Sequence, residues 1–223
     1  MRITIPVLTV GVLSLAVLQA QGGLPPDIHP QSFSRLPPLD RGALDAEGQR
    51  IWDFVAGEGR PLPPTGPAPV SMYSPNVAEP MHMLNQYLRT TVVGSRYFEL
   101  SALVAAGEFD QHYEWSGHEP AGRRAGLEQT TIDAVKFNRD VTGLPEKDAT
   151  VIRLGRAIFR DHTVSPELWA KTVDLFGRQG AVEITAIMGD YVMAGVMLTA
   201  VDQQLPPGRE SSLPSVREPK AGR

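Results

Sequence analysis

The 223-residue chain contains no cysteine. This absence excludes disulfide bridges, zinc knuckles, thiol nucleophiles and redox chemistry that uses paired cysteines. Neither sign of charge is in large excess, since 21 Lys and Arg face 25 Asp and Glu and leave a formal net charge of −4. A nucleic-acid partner is therefore not expected, because a polyanion needs a basic surface. The hydrophobic fraction of 42% predicts one globular domain with its own core.

Long hydrophobic runs are rare, and the first one lies at the N-terminus. A single charge, Arg2, precedes an apolar run over residues 7–17, and Ala20 provides a small residue for cleavage. The run fits the hydrophobic region of a signal peptide and is shorter than the roughly 20 residues of a membrane-spanning helix. We expect residues 1–20 to be a signal peptide and the chain to be periplasmic or secreted. An uncleaved anchor is the alternative, and no other contact with a membrane is expected.

Proline is scarce in one long stretch and frequent on both sides of it. Only Pro120, Pro145 and Pro166 lie in residues 81–205, whereas residues 25–38, 57–80 and 206–223 hold 5, 7 and 4 prolines. Because proline interrupts helix interiors, the stretch can be largely helical and the flanks cannot. We expect a domain over 39–208 with a proline-rich crossing over 57–80. An extended leader over 21–38 and a flexible tail over 209–223 would flank it.

The spacing of apolar residues predicts helices throughout the body of the chain. They are expected at 40–56, 77–91, 96–115, 120–126, 130–140, 146–161, 165–177 and 180–203. Asp40 can cap the first of them, and Ser165 followed by Pro166 and Glu167 is a strong start signal. Strand signals are weak, so the sequence predicts an all-α fold whose helices pack as an antiparallel bundle.

The densest group of reactive side chains lies near the middle of the chain. Gln111, Glu114, Trp115 and His118 follow the spacing i, i+3, i+4 and i+7 and share one helix face. Glu99 precedes Gln111 by 12 residues at a similar helical phase and lies in an apolar run. A carboxylate in such a run is expected to be buried and to need a partner. Glutamate and histidine together can move a proton near neutral pH, although such pairs also occur on solvated helices.

Other polar residues carry weaker signals. Trp115 fits either the core or a ligand pocket. His112 and Glu119 are expected at the surface, and His82 and His162 are expected at the surface or in packing. His112 and His118 are six residues apart and project to different sides of a helix, so a metal site is not expected. The chain has neither a glycine-rich phosphate loop nor a G-x-S-x-G elbow, so no cofactor is expected.

Taken together, several segments over about residues 40–208 resemble the carboxymuconolactone decarboxylase and alkylhydroperoxidase D-like family. The central segments are Glu99-Leu100, His112-Tyr113-Glu114-Trp115, His118-Glu119-Pro120 and Ala125-Gly126-Leu127. The others are 62–75, Val164-Ser165, Leu175-Phe176-Gly177, Val182-Glu183, Gly189-Asp190-Tyr191 and 205–208. The resemblance implies an all-α alkylhydroperoxidase D-like helical bundle of intertwined subunits, in a homotrimer or homohexamer. It also implies an active site on the helix that carries the central motif.

The resemblance further implies roles for particular residues. Redox members of the family use a C-x-x-C pair with a relay of His and Glu. The positions that match the two cysteines are Gln111 and Glu114 in this chain, and the relay matches Glu99 and His118. Without thiols the peroxidase route has neither a nucleophile nor a resolving group. The retained pair fits the decarboxylase-like branch, where proton transfer suffices.

We therefore expect an exported acid/base enzyme whose partner is a small carboxylated or lactone-type molecule. His118 would be the general acid/base, Glu99 would orient it, and Glu114 would be a second carboxylate. The residues expected to contact the substrate or line its pocket are Arg96, Gln111, Trp115 and Tyr191. Two alternatives stay open: a non-catalytic oligomeric binding module of the same fold, and peroxidase activity, which the lack of cysteine disfavours.

Overall fold

The computed structural model describes residues 24–214, which form eight α-helices and no β-strand. The helices are α1 Ala46–Ala56, α2 Pro67–Ser71, α3 Pro75–Leu88, α4 Gly94–Glu108, α5 His112–Arg124, α6 Gln129–Lys136, α7 Glu146–Arg156 and α8 Pro166–Ala200. A 3-10 turn over Arg41–Ala43 precedes α1, and a π-helical turn over Ala157–Asp161 extends α7. The all-α prediction is confirmed. The expected signal peptide and residues 215–223 lie outside the described residues.

Helix α4 is the centre of the main core. It packs against α5, α6, α7 and α8, and every residue from 98 to 106 is buried. A helix that is surrounded in this way carries almost no polar face, which explains its weak amphipathic pattern. The largest fully buried side chains around it include Phe98, Trp115, Ile152 and Ile184. Because α4 is enclosed, its one buried carboxylate, Glu99, has to be satisfied within the protein.

A second, smaller core lies between α1, α2 and α3. It contains Ile51, Trp52, Val55, Met72 and Ala78. Helices α2 and α3 also contact α8. The N-terminal helices thus cover the part of α8 that the main core leaves open, and the cavity described below lies at this junction.

The predicted helix over 96–115 is wrong, because the chain turns in its middle. Helix α4 ends at Glu108, Asp110 has a positive φ of 53°, and Gln111 occupies the N-cap position of α5. Aspartate is among the few residues that tolerate this left-handed conformation. Helices α4 and α5 therefore pack against each other as a hairpin, and Glu99 does not share a helix with Gln111.

The proline-rich crossing over 57–80 is more structured than expected. It contains α2 and the beginning of α3, which start with Pro67 and Pro75. Proline suits the first turn of a helix because the missing N–H has no intrahelical partner there. Pro80 and Pro120 lie inside α3 and α5, where each removes one backbone donor. Proline therefore does not exclude a helix interior at these two positions.

The leader is not extended over the described residues. Ile28, Ser32 and Ser34 are buried in a set of turns. The backbone N–H of Arg35 donates to the carbonyl of Val201 at 2.8 Å, which ties the leader to the end of α8. Proline excluded helices here, but a segment without helices can still pack against the body.

The tail is likewise anchored over 209–214, contrary to the flexible tail expected from 209 onward. Arg209 Nε donates to Ser116 Oγ at 2.7 Å, and its guanidinium lies 4.1 Å from the centroid of the Tyr113 ring. Leu213 is buried in the main core. The polar side chains of Arg209 and Ser212 thus contact α5.

Helix α8 follows the predicted pattern. Ser165 accepts a hydrogen bond from the N–H of Leu168, and Gly177 has a φ of 71° that interrupts the helix near the predicted gap. The helix is long and apolar enough to cross a membrane by composition, but 56% of its most apolar 18-residue window is buried. Its apolar residues thus serve largely as core.

The contact between α4 and α7 gives a test of this packing. A Cβ at Gly155 would lie 2.2 Å from Val104 Cγ1, whereas a Cβ at Gly189 on α8 would have no atom within 4 Å. We expect Gly155→Ala to lower the free energy of unfolding by about 1–3 kcal/mol through overpacking. Gly189→Ala is the matched control and should raise it by up to about 1 kcal/mol. Urea denaturation measures both, and an equal effect of the two variants would contradict this packing.

Candidate active site

The α4–α5 hairpin brings Glu99 and His118 together in the protein interior. His118 Nδ1 lies 2.6 Å from Glu99 Oε2, and the two side chains are only 12% and 10% exposed. A carboxylate accepts hydrogen bonds and does not donate them, so Nδ1 carries the proton of this bond. This arrangement leaves Nε2 of His118 as the atom that can release or accept a proton.

Glu114 lies one turn before His118 on α5. Its Oε2 is 3.6 Å from His118 Nε2, and its Oε1 is buried with no hydrogen-bond partner within residues 24–214. A separation of 3.6 Å is too long for a hydrogen bond but close enough for a strong interaction between charges. His118 therefore lies between two carboxylates, one on each nitrogen.

Opposing effects act on the pKa of His118. Burial alone lowers it, whereas the adjacent carboxylates of Glu114 and Glu99 raise it, and the net direction is upward. The imidazolium form therefore persists to a higher pH than in an unperturbed histidine, whose pKa is about 6.5. A histidine in this state is suited to donate a proton near neutral pH.

His118 and Glu114 line a cavity of about 150 Å³ between α1, α2, α3, α5 and α8. Apolar side chains from these helices form much of the remaining wall, among them Val55, Met81 and Ala194. Glu99 does not belong to the lining. It therefore lies behind His118, where it can orient the ring without contacting a bound molecule. A small cavity of this kind, which combines apolar walls with an acid/base pair, is typical of a binding site for a small molecule.

Tyr191 of α8, which the sequence predicts to line a substrate pocket, is part of the lining of this cavity. The edge of its ring meets the ring of His118, with 4.5 Å between the centroids. Burial raises the pKa of Tyr191, so the phenol keeps its proton near neutral pH. Its hydroxyl accepts a hydrogen bond from Arg89 Nη2 at 3.3 Å.

The sequence did not predict five polar residues of the lining: Ser71, His82, Asn85, Arg89 and Asp190. Asp190 belongs to the Gly189-Asp190-Tyr191 segment of the resemblance, and Asn85 and Arg89 have i, i+4 spacing, but neither signal assigns a role. Burial raises the pKa of Asp190, a hydrogen bond from Asn85 opposes this, and the charge of Glu114 adds to it. His82 had been expected at the surface or in packing.

Gln111 and Trp115 do not line the cavity, contrary to expectation. Gln111 Nε2 donates to Thr199 Oγ1 at the other side of α5. Trp115 is fully buried, and its Nε1 donates to Glu119 Oε2 at 2.8 Å. Gln111 is the N-cap residue of the helix that carries Trp115 and His118. Its side chain and that of Trp115 form hydrogen bonds with residues outside the cavity lining.

Glu119 is buried, although the sequence placed it at the surface. Besides Trp115 it accepts a hydrogen bond from Arg123 Nη2 at 2.8 Å and one from Ser212 Oγ. This cluster attaches the C-terminal segment to α5 and lies away from the cavity.

Arg96 also lies outside the cavity. Its Nη2 donates to Asp148 Oδ2 at 2.6 Å, and its Nη1 donates to the carbonyl of Gly126. Asp148 is fully buried and also accepts a hydrogen bond from Thr131. Arg96 therefore neutralises a buried charge of the core and is not free to bind a substrate carboxylate.

Within residues 24–214 no group of three or more His, Asp or Glu side chains has an arrangement that could hold a metal ion. The groups around His118 are carboxylates that contact the imidazole itself. The chemistry this arrangement offers is proton transfer.

Comparisons with known proteins agree with the helical fold. The chain is similar in structure to the alkylhydroperoxidase AhpD core of an uncharacterized peroxidase-related protein from Ralstonia eutropha JMP134, with a TM-score of 0.57, 19% identity and coverage of 79% of this chain and 93% of that one. A variant of the debrominase Bmp8 in complex with 2,3,4-tribromopyrrole gives a TM-score of 0.54 at 15% identity, covering 75% and 89%. A protein of unknown function from Agrobacterium tumefaciens, described in relation to the antioxidant defence protein AhpD, gives 0.56 at 16% identity, covering 63% and 98%.

No family model matches the sequence, and no curated protein matches it. The structural neighbours nevertheless show that the chain has the AhpD-like fold. This fold is consistent with the resemblance to the carboxymuconolactone decarboxylase and alkylhydroperoxidase D-like family in the sequence.

The Glu99–His118 contact predicts a measurable change in the pKa of His118. Glu99→Gln keeps a hydrogen-bond acceptor but removes a negative charge, so the pKa of His118 should fall. The titration of its ring protons by NMR measures this. Glu108→Gln is the control, because Glu108 also lies on α4 but pairs with Arg160, and it should leave the titration unchanged. An unaltered pKa in Glu99→Gln would mean that the contact is not formed in solution.

The role of Arg96 predicts an effect on stability. Arg96→Met leaves the buried carboxylate of Asp148 without its cation and should cost about 3 kcal/mol in the free energy of unfolding. Arg50→Met removes ion pairs with Glu47 and Glu79 that are exposed, and it should cost far less. Thermal and urea unfolding compare the two, and a similar stability of both variants would argue against the buried role of Arg96.

Proposed function

We propose that the chain is an enzyme that moves a proton to or from a small organic substrate of the carboxylated or lactone type. The observation that carries this proposal is the 2.6 Å contact between Glu99 and His118, with His118 on the cavity wall and Glu99 behind it. A carboxylate that holds an imidazole in one tautomer is a recurrent device of acid/base catalysis.

His118 is the general acid/base in this proposal. In its protonated form, Nε2–H gives a proton to a substrate carbon or oxygen, and in its neutral form Nε2 takes one. In a decarboxylation, the bond to the carboxylate breaks, carbon dioxide leaves, and the electron pair left on carbon takes the proton from His118. In isomerisation and in lactone hydrolysis, His118 would act both as base and as acid. It would take a proton from the substrate or from the attacking water and then return a proton to the product. Glu114 stabilises the imidazolium between these steps.

The convergence of His118 and Glu114 on an open cavity supports an enzyme over a non-catalytic binding module. A module that had lost its chemistry would be expected to fill this space with apolar side chains, since an unpaired buried carboxylate destabilises the fold. The buried Oε1 of Glu114 has no hydrogen-bond partner within residues 24–214, so this cost is retained.

The structural neighbours support only part of this proposal. The debrominase shows that an enzyme of this fold binds a small halogenated ring. The peroxidase names of other neighbours do not extend to this chain, because its sequence has no cysteine for a thiol peroxidase cycle.

Export through residues 1–20 and assembly into a homotrimer or homohexamer stay predictions. An exposed apolar area on α3 and α8 is compatible with assembly, since Tyr87 and Val182 are 54% and 58% exposed. Large exposed apolar areas are often subunit contacts.

Turnover of a substrate found by an unbiased metabolite screen tests the acid/base role. His118→Gln should reduce kcat by about 10²–10⁴-fold, because a positioned proton donor contributes that much. Wild-type kcat should also fall as pH rises through the raised pKa of His118 wherever the imidazolium is the acting form.

His112→Gln is the matched control, since His112 lies on the same helix but outside the cavity. It should keep the wild-type kcat. Both variants are checked by thermal unfolding, and a folded His118→Gln with the kcat of the wild type would refute the acid/base role.

A further inference from the structure

Arg89, the C-cap residue of α3, lies at the solvent-exposed edge of the cavity and lacks an acidic partner within the part of the chain that the structure describes. It lines the same cavity as His118 and Glu114 and is itself exposed. Within residues 24–214 its guanidinium contacts an amide, a phenol and an aromatic ring, but no carboxylate.

Three neutral groups hold Arg89 in place. Its Nε donates to Asn85 Oδ1 at 2.9 Å, its Nη2 donates to the Tyr191 hydroxyl at 3.3 Å, and the guanidinium lies 4.8 Å from the centroid of the Phe98 ring. These contacts restrict the side chain without neutralising its charge. The guanidinium is thus oriented before a ligand arrives, which lowers the entropic cost of binding.

Asn85 lies between Arg89 and the carboxyl group of Asp190. Its Oδ1 accepts from Arg89, and its Nδ2 donates to Asp190 Oδ2 at 2.8 Å. Asp190 is 4% exposed, and its Oδ1 has no hydrogen-bond partner within residues 24–214. The amide therefore satisfies one atom of each charged group and prevents the two from forming an ion pair.

The cavity is consequently polarised. Its exposed edge carries the cation of Arg89, and its buried wall carries the carboxyl groups of Glu114 and Asp190 beside His118. A negative group on a ligand is attracted to the edge, whereas at the wall the carboxyl groups of Glu114 and Asp190 oppose the attraction of the His118 imidazolium. A ligand with one carboxylate can place that group at the edge and its uncharged part at the wall. A second carboxylate would lie against the carboxyl groups of the wall.

We propose that Arg89 binds the carboxylate of the substrate, in the role that the sequence had suggested for Arg96, and that the substrate is a small monocarboxylate. This inference rests on the proposed function. The bound carboxylate is a handle for orientation and is not the reacting group. The opposite end of the molecule faces His118, so the reaction in this pose is isomerisation or lactone hydrolysis and not loss of this carboxylate. Arg89 and Asn85 then act on specificity, Arg89 by direct contact and Asn85 as a positioning residue.

Calorimetric titration of the purified protein with benzoate, benzamide and terephthalate tests this proposal. These probes share a ring and differ in carrying one, no or two carboxylates. Wild type should bind benzoate at least ten-fold more tightly than either of the others. Arg89→Gln should weaken benzoate binding at least ten-fold and leave benzamide binding unchanged.

Two further variants sharpen the comparison. Asn85→Asp keeps the shape of the side chain but places a carboxylate against Arg89, so it should also weaken benzoate binding. Arg124→Gln, at the end of α5 and outside the cavity lining, is the control and should bind benzoate as the wild type does. Circular dichroism melting checks that each variant is folded.

The outcomes separate this proposal from the proposed function. Benzoate binding that is absent in the wild type, equal to benzamide binding, or unaltered in folded Arg89→Gln would overturn the role of Arg89. If His118→Gln keeps Arg89-dependent benzoate binding while no His118-dependent turnover exists, the acid/base function fails and the anion site stands. If turnover depends on His118 and Arg89→Gln has the KM of the wild type, the acid/base function stands and the carboxylate-binding role of Arg89 fails.

Discussion

The burial of Glu99 is the constraint on which the site depends. A carboxylate in the most enclosed helix loses its hydration, and the fold tolerates it only with a close partner. His118 is that partner, and the hairpin of α4 and α5 brings it within hydrogen-bond distance. The same contact that satisfies the buried charge holds the imidazole in one tautomer and turns Nε2 toward Glu114 and the cavity. Stability and candidate chemistry therefore share one interaction.

The charges around the cavity are kept apart, and they are not fully neutralised by one another. In the core, Arg96 pairs directly with Asp148 and closes a buried charge within the structure. At the cavity, Asn85 is interposed between Arg89 and Asp190, so a cation and a carboxyl group both keep free capacity. An amide costs less to bury than a charge and can satisfy a donor and an acceptor at once. Such separation is useful where a ligand must supply the missing partner.

Much of the fold could be predicted from local pattern. Helical periodicity, the Ser165 cap and the scarcity of proline in the body correctly indicated an all-α domain, because these signals depend on residues close together in sequence. The turn at Asp110 was missed, since a single residue with positive φ leaves no periodic trace. The leader was expected to be extended and the tail to be flexible because of their composition, but Arg35 of the leader and Arg209 and Leu213 of the tail contact the body of the protein.

By itself, the sequence determined which chemistry is available: no thiol, and a glutamate and a histidine in an apolar setting. It also determined the helical character of the chain, because both depend on residue type and short-range spacing. Only the tertiary structure decided which side chains meet. Asn85 and Asp190 are 105 residues apart in sequence, yet Asn85 Nδ2 lies 2.8 Å from Asp190 Oδ2. Trp115 is one turn of the helix from His118 but does not line the cavity. Long-range packing selects the face of each helix that lines the cavity, and no local pattern encodes that choice.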